Sequence, residues 1–413
     1  MIPDETPILI AGAGPTGLAL AIMLQQSGIA HVLIERTTER SALSRAAVVH
    51  AHTLEALDQL GVVDELRQQG LLLDRFTFRD RGRELTRVEF ADLPSRFPHL
   101  LMIPQNITEE ILENRLLALG GTIWRGAELS DVTQDDLGAL AVIRSAGAVH
   151  QLRARFVIGA DGMRSRVRDA AAIGFDGSTL AQGFALADVD IDWPEQRSEV
   201  SLYLSGAGML VVAPLPNGQF RLVAAVEDAP TIPPLDYMQA ILDTRGPSGR
   251  RAIISHLAWS SAFHIHHRLA RQYRSGRLFL MGDAAHVHSP AGGQGMNTGL
   301  VDAVMLGRLV VRVIGEGAPE AILNQYEHFR RPAAAEVMAL VGRLTRIATA
   351  RSAVARTIRN ILLRTVGRTS RVRTAMALNL SGVARRRYAP DLIPARPHVA
   401  PHRPKIILEA LYD

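Results

Sequence analysis

Apolar residues follow two rhythms along this chain. Through the first third, short apolar runs alternate with stretches of helical period: Ile8 to Ala11, a glycine-rich turn, a helical run to Gln26, then a second run from His31 to Glu35. That alternation predicts the start of a parallel α/β sheet. Helices are expected over Thr53 to Leu60, closed by Gly61, and over Thr108 to Leu119, closed by Gly120 and Gly121. Thr108 is the expected N-cap of the second, with Glu109 and Glu110 in its first turn, where the helix dipole favours negative charge. Phe76 to Phe90 reads as an inserted hairpin, and strands return from Val142 to Gly159.

The rhythm then changes. Phe184 to Val226 alternates polar and apolar residues with turns at "SGAG" and "LPNG", which predicts an antiparallel sheet of a separate domain, closed by Trp259 to His267. A strand from Arg277 leads into "LFLMGDAAH", a long helix begins near Met296, and helical period continues to about Arg387. The proline-rich "APDLIPARPHVAPHRPK" predicts an extended tail.

Composition narrows the function classes. With 413 residues, 47% of them hydrophobic, the chain can fill two domain cores, and no apolar run approaches the roughly 20 residues of a membrane span. No signal peptide is expected, and a cytoplasmic enzyme is the expectation. Zero cysteines exclude disulfides, thiolate nucleophiles and a cysteinyl-linked cofactor. Lys405 is the only lysine, which leaves a P-loop or Schiff-base mechanism almost no residue to use. The net charge of +5 conceals an asymmetry: Val337 to Pro390 holds twelve arginines and no acid, leaving 34 basic against 41 acidic residues elsewhere.

Three glycine motifs carry the chemistry. "GAGPTG" puts Gly12, Gly14 and Gly17, with Pro15 and Thr16, between a strand and a helix, the pattern that lets backbone approach a pyrophosphate. Glu35, eighteen residues past Gly17, can accept from ribose hydroxyls and would repel a 2′-phosphate, so the ligand is FAD or NAD rather than NADP. In "FVIGADGMRSRVR", Asp161 and Gly162 form a turn before a helix; the plain alternative to a cofactor contact is a βα turn with a capping aspartate and a solvated basic face. "LFLMGDAAHVHSPAGGQGMNTGLVDA" delivers Asp283 to sugar-alcohol hydroxyls and runs Pro290 to Asn297 into a helix N-terminus, where backbone N–H groups favour negative charge. A reduced flavin ring is anionic, so this third motif fits FAD and gives NAD nothing to do.

In this order, over roughly Ile8 to Pro332 and ending in "YEHFRRP", the motifs resemble the single-component FAD-dependent aromatic hydroxylases of the p-hydroxybenzoate hydroxylase fold, the group A flavoprotein monooxygenases. The resemblance implies a mixed α/β fold. A Rossmann-type FAD-binding domain would occupy 1–75, 100–180 and 275–335, with an inserted antiparallel-sheet substrate domain at 76–99 and 181–274. A basic helical region at 336–390 and a tail at 391–413 would follow. It implies non-covalent FAD held by Gly12, Gly14, Pro15, Thr16, Gly17, Glu35, Arg36, Arg45, Gln105, Asp161, Asp283 and the loop Gly293, Gln294, Gly295, Met296 and Asn297. Pro290, Gly292 and Gly293 would cradle the reacting ring, with no amino-acid nucleophile and no metal. NAD(P)H would be a transient co-substrate, in keeping with the lack of a second Rossmann motif. Oxygen would add to the reduced ring, and one oxygen atom would pass to an electron-rich carbon of an aromatic or polycyclic molecule. Two features depart from the family: Met305 stands where many relatives have an asparagine, and no thioredoxin-like C-terminal domain follows, which implies a shorter member.

Substrate-pocket candidates come from the second region: Tyr203, Met209, Val212, Arg221, Trp259 and His264, with His266 on the same strand face as His264. With aromatics at 5%, aliphatic walls are expected, including Leu210 and Pro214. His286 and His288 lack the acidic partners of a metal site and are read as part of the flavin loop. In the basic region, Ile347, Val354, Ile358, Ile361 and Leu362 recur at helical spacing between arginines. Packing against the acidic body is the plain reading, and docking on a membrane surface the sharper one. Nucleic-acid binding is disfavoured because Tyr388 is the only aromatic residue among those arginines. Monomer and homodimer both remain open.

Overall fold

The computed structural model describes residues 2–40, 44, 46–194, 197–290, 292–348 and 352–392. Strand β1 (Glu5–Ala11) feeds helix α1 (Pro15–Gln26) and returns as β2 (His31–Glu35). Helices α2 (Ala51–Asp58) and α3 (Val63–Gln69) precede a hairpin, β3 (Arg75–Asp80) and β4 (Arg83–Glu89). Then come α4 (Gln105–Ala118) and strands β5 (Ala127–Asp135), β6 (Gly138–Ser145) and β7 (Ala148–Gly159). Long strand β8 (Phe175–Asp192) opens a second sheet, continued by β9 (Glu199–Ser205), β10 (Gly208–Pro214) and β11 (Phe220–Val226). Helix α5 (Leu235–Arg245) crosses its back, and β12 (Ile253–Ala270) completes it before the chain returns through β13 (Leu278–Leu280). Helices α6 (Gly295–Ile314), α7 (Asn324–Ala348), α8 (Ala353–Thr365) and α9 (Ser370–Leu380) follow.

The first sheet runs β13-β7-β1-β2 and ends on Ile123–Arg125, all parallel, with β6 attached antiparallel to β7 and β5 antiparallel to β6. Its central strands carry Ile8, Leu9, Ile10 and Phe156, Val157, Ile158, apolar on both faces because both are covered, in one core shared with Leu18 and Leu20 of α1 and with Leu129, Val132, Ala141 and Ile143 of β5 and β6. The second sheet runs β12-β8-β11-β10-β9-β3-β4. Its pairings are antiparallel except where hairpin strand β3 joins β9 in parallel, Phe76 opposite Val200. This sheet has two distinct faces. Tyr203, Leu210, Val212 and Leu222 pack under α5 with Met238 and Leu242, whereas Leu202, Met209 and Ala213 face the first sheet's loops.

The helices differ from those the sequence predicts. Helix α4 starts at Gln105, three residues before the expected cap. Pro104, with φ −58°, is its N-cap residue, and the Thr108 hydroxyl donates to the Pro104 carbonyl at 3.3 Å inside the helix. Helix α3 and helix α5 were not expected. The helical stretch expected to run from Met296 to Arg387 is several helices, the last being a 3₁₀ segment, Val383–Tyr388. Of the expected tail, only Asp391 and Leu392 are described, in a short 3₁₀ turn after Ala389, and 393–413 lie outside the described residues.

Candidate active site

The three glycine motifs converge because their strands are neighbours: β1, β7 and β13 are adjacent and parallel, so the loops after them open on one edge. Gly12, at φ +104°, has no room for a side chain, since a Cβ would sit 2.4 Å from the Ala160 carbonyl oxygen of the second motif. Gly14 meets nothing within 4 Å, so the space before it is open to a ligand. Pro15 begins α1, Gly17 is buried inside it, and Thr16 reaches the third motif's Gly282 and Gly299. Glu35 ties the turn together: its carboxylate accepts from the Ala13 N–H at 2.9 Å and from the Thr37 N–H at 3.0 Å.

Together these loops and the second sheet enclose a cavity of about 820 Å³. At one end lie Gly14, Pro15 and Thr16; in the middle Gln105, Asp283, Pro290, Gly292, Gly293, Gly295 and Met296; at the other end residues of the second sheet. Asp283 is exposed on this wall. The loop wraps tightly around Val48: a Cβ on Gly293, at φ +61°, would stand 2.1 Å from the Val48 Cγ1.

Several expected residues take other positions. The Asp161 carboxylate accepts from the Arg166 N–H at 2.7 Å and the Val167 N–H at 3.3 Å, capping the short helix Arg166–Ala170 as a βα-turn aspartate would. Burial pushes its pKa up, and its Oδ1 has no partner. Arg36 is exposed and lines no part of the cavity, and Arg45 lies outside the described residues. Gln294 and Asn297 point away from the cavity and lock the loop. The Gln294 amide donates to the Gly292 and Leu380 carbonyls at 3.1 and 3.0 Å and accepts from Arg385 at 2.8 Å. Asn297 accepts from the His50 N–H at 2.8 Å and donates to the Val48 and Gly293 carbonyls at 2.9 and 2.7 Å.

In the second sheet, Met209, Arg221 and His264 line the cavity, as does His266. Tyr203, Leu210 and Val212 do not. They belong to the opposite face, because side chains alternate along a strand, and Val211 and Ala213 take the places expected of Leu210 and Val212. Pro214 is not on the wall either, and Trp259 packs against the core nearby, 5.7 Å under the Arg221 guanidinium. Arg221 is held rather than free: it pairs with Asp188 through two 2.8 Å contacts and donates to the Ala46 carbonyl at 2.9 Å. The aliphatic wall expected from composition is corrected, since Phe76, Phe78, Phe90 and Phe263 all line the cavity. Three of them come from the inserted hairpin and the residue after it, which the parallel β3–β9 pairing carries to this spot.

Histidines occupy the loop end: His288, expected in the flavin loop, and His50, which no sequence motif marks. His50, buried, and His288, half-buried, both line the cavity, and burial lowers each to about 4. His50 Nε2 faces the Gly292 carbonyl at 2.9 Å and His288 Nδ1 faces the Ser289 carbonyl at 3.0 Å, so those nitrogens carry the protons. The remaining nitrogens, His50 Nδ1 and His288 Nε2, are lone-pair acceptors without a partner. His286 does have an acidic partner, contrary to expectation: its Nε2 lies 2.7 Å from Asp302, which also pairs with Arg330 at 2.7 Å. Burial alone would raise Asp302, but the Arg330 and His286 charges override it and hold the carboxyl below its ordinary range. Arg330 belongs to "YEHFRRP", and Tyr326 of the same segment donates to the Leu280 carbonyl at 2.8 Å, so that segment props the third motif from behind. Among the described residues no three His, Asp or Glu side chains gather as metal ligands would.

This arrangement fits a flavin dinucleotide. The backbone turn at Gly14 is open, Asp283 and Gln105 lie on the wall of the same cavity where hydroxyl groups would pass, and the adjoining loop holds buried acceptors, His50 Nδ1 and His288 Nε2, without partners.

A family profile described as "FAD binding domain" matches residues 5–341. The chain is 36% identical over 356 residues to the 6-methylpretetramide 4-monooxygenase of Streptomyces rimosus, covering 85% of this chain and 64% of that protein. It therefore spans a little under two thirds of that relative's length. Among solved structures, the anhydrotetracycline hydroxylase OxyS from Streptomyces rimosus superposes with a TM-score of 0.77 at 30% identity, over 92% of this chain and 76% of that one. The p-nitrophenol 4-monooxygenase PnpA from Pseudomonas putida shares the fold at a TM-score of 0.81 and 24% identity, over 91% of this chain and 98% of that one.

Proposed function

This chain belongs to the FAD-binding-domain family that includes the aromatic hydroxylases of the p-hydroxybenzoate hydroxylase fold, and on that premise we propose that it hydroxylates an aromatic, polycyclic small molecule with NAD(P)H and O₂. The observation that carries this reading is the single continuous cavity, backbone-lined at Gly14 to Thr16 and phenylalanine-lined at Phe76, Phe78 and Phe90. A dinucleotide enters one end and an apolar aromatic molecule the other. The relatives named for 6-methylpretetramide and anhydrotetracycline favour a fused-ring substrate over a single phenol.

FAD would rest its pyrophosphate on Gly12 to Gly17, its ribityl chain beside Asp283 and Gln105, and its ring on Pro290 to Met296. When bound it supplies the hydride acceptor and the oxygen chemistry. The protein does the rest. The first-turn amides of α6, which a helix leaves without intrahelical acceptors, stabilise negative charge on a ligand at that end. Asn297 and Gln294 keep the loop rigid, and the apolar walls exclude water from the reaction. His264, exposed on the cavity wall, can accept a hydrogen bond from a substrate hydroxyl and so favour its more nucleophilic form.

The test is a screen of fused-ring phenols and quinones against the FAD-loaded protein, following NAD(P)H oxidation and the product mass. Accelerated oxidation with one added oxygen atom is the expected result. Accelerated oxidation without oxygen incorporation would make the protein a reductase, and indifference to every ligand would reject the proposal.

A further inference from the structure

Helix α8 turns its apolar face outward. Val354, Ile358, Ile361 and Leu362 recur at i, i+4, i+7 and i+8, which places them along one side of a helix, and all four are between 53% and 68% exposed. Ile347 at the end of α7 and Val366 just past α8, each 46% exposed, lengthen the strip. The inward side is polar instead. Arg359 is buried, and its guanidinium donates to the Leu204 carbonyl at 2.7 Å and the Ile347 carbonyl at 3.2 Å. The adjacent Asn360 amide donates to the Asp80 carboxylate at 2.7 Å. These attachments to the ends of β9 and β3 hold the helix on the body by its polar side and fix its roll, which leaves the apolar strip outward.

The surroundings are basic. Residues 337–390 contain no acid, and Arg346, Arg368, Arg371 and Arg373 are exposed. An apolar strip flanked by arginines on a helix lying at the surface is the signature of an interfacial helix. We propose that α8 and its neighbours dock this protein on an anionic lipid surface.

Size decides between a lipid and a second protein. A helix of thirteen residues is about 20 Å long and about 10 Å across. The strip therefore offers roughly 200 Å², against the about 800 Å² per partner that a stable protein interface buries. A bilayer demands no such matched surface, because each apolar side chain inserts, and each arginine meets an anionic headgroup, independently of the others. Leu344 and Ala348 of α7 and Leu380 of α9 line the cavity, so the helices on either side of α8 in the chain join the lipid-facing layer to the site. A lipophilic fused-ring substrate held in a membrane would reach the cavity from this side, a consequence that rests on the hydroxylase reading above.

Sedimentation of the full chain, loaded with FAD, with vesicles of mixed phosphatidylglycerol and phosphatidylcholine tests this without substrate or NAD(P)H, so its result is independent of the hydroxylase reading. Binding is expected on these vesicles and about tenfold weaker on pure phosphatidylcholine, and to fall with added salt. Ile358→Ser with Leu362→Ser should weaken it about tenfold or more with flavin content retained, and Arg368→Glu with Arg371→Glu should weaken it to a similar degree. Equal binding to both vesicle types, no binding to either, or binding untouched by both double variants would overturn the proposal. So would a dimer in analytical ultracentrifugation that the serine variant dissociates, which would assign the strip to a second copy.

Discussion

At the Gly14 end of the cavity the wall is main chain, and at the Phe76 end it is side chains drawn from alternate positions of separate strands. The two ends respond differently to a change of residue. A backbone-built wall depends on what is missing from a residue, as at Gly12, where any Cβ would strike the Ala160 carbonyl oxygen. A side-chain wall depends on register, and a single-residue shift exchanges its lining for the opposite face. Arg221 stands between the two regimes: a strand residue whose guanidinium reaches across to the Ala46 carbonyl and the Ser44 hydroxyl next to the flavin loop's partner segment.

The comparison is broken most severely at Gly293. A valine there combines left-handed backbone with a collision at the Val48 Cγ1, and about 4 kcal/mol of destabilisation is expected from strain and overpacking together. The variant should purify without flavin absorbance; stoichiometric flavin would remove the loop from the site. Gly14→Ala sharpens the same point, because nothing in the protein opposes a Cβ there. Its melting temperature without FAD should match the parent, while FAD affinity falls.

Next in size is Arg221→Met. It leaves Asp188 buried without its partner, which costs about 3–5 kcal/mol where one member of a buried pair is removed. Chemical denaturation measures it directly. Replacing Asp188 and Arg221 together should recover much of the loss, and failure to do so would mean that the contacts to Ala46 and Ser44 matter more than the ion pair.

Acid acts on the loop end of the cavity. His50 and His288 titrate near 4 in the folded protein and near 6.5 when unfolded. Between those values the unfolded chain binds protons that the folded chain does not, so stability falls as pH drops from 6.5 towards 4 and levels off below. From pH 7 to pH 5 each histidine should remove about 2 kcal/mol. His288→Gln should shrink the fall in melting temperature over that range, and an unchanged pH slope would show that His288 is not buried neutral.

What was legible in the sequence follows the same division. The turn at Gly12 to Gly17, the acid at Glu35 and the loop at Pro290 to Asn297 were legible as motifs by residue type, and the structure adds how they are held: Glu35 anchors the Ala13 N–H, and Asn297 turns back onto the Val48 and Gly293 carbonyls. The hairpin at Phe76 was legible as a hairpin, but its pairing with a strand more than a hundred residues away was not, and with it went the aromatic wall. Periodicity showed that α8 has an apolar face without showing which way it turns; the buried Arg359 decides that through carbonyls of distant elements. Gln294 looked like a ligand residue because it sits in the glycine loop, and only the approach of Arg385, contributed by the C-terminal region, explains its side chain.

The smallest effect is the most discriminating, because it separates neighbours on one strand. Val211 lines the cavity and Val212 packs against the opposite core under α5. Truncating either to alanine removes two methyl groups. At Val212 the loss is a buried cavity in a closed core, so about 1–2 kcal/mol of stability should go with KM unchanged. At Val211 the methyl groups face a space that a ligand fills, so stability should change less and KM for the substrate should rise by a few-fold, about 1 kcal/mol. Two variants with the same chemistry would thus show opposite patterns in melting temperature and KM. If both lowered stability alike and neither moved KM, the β10 face assigned here to substrate would be core on both sides, and the aromatic molecule would have to bind further along, beside Phe263 and His264.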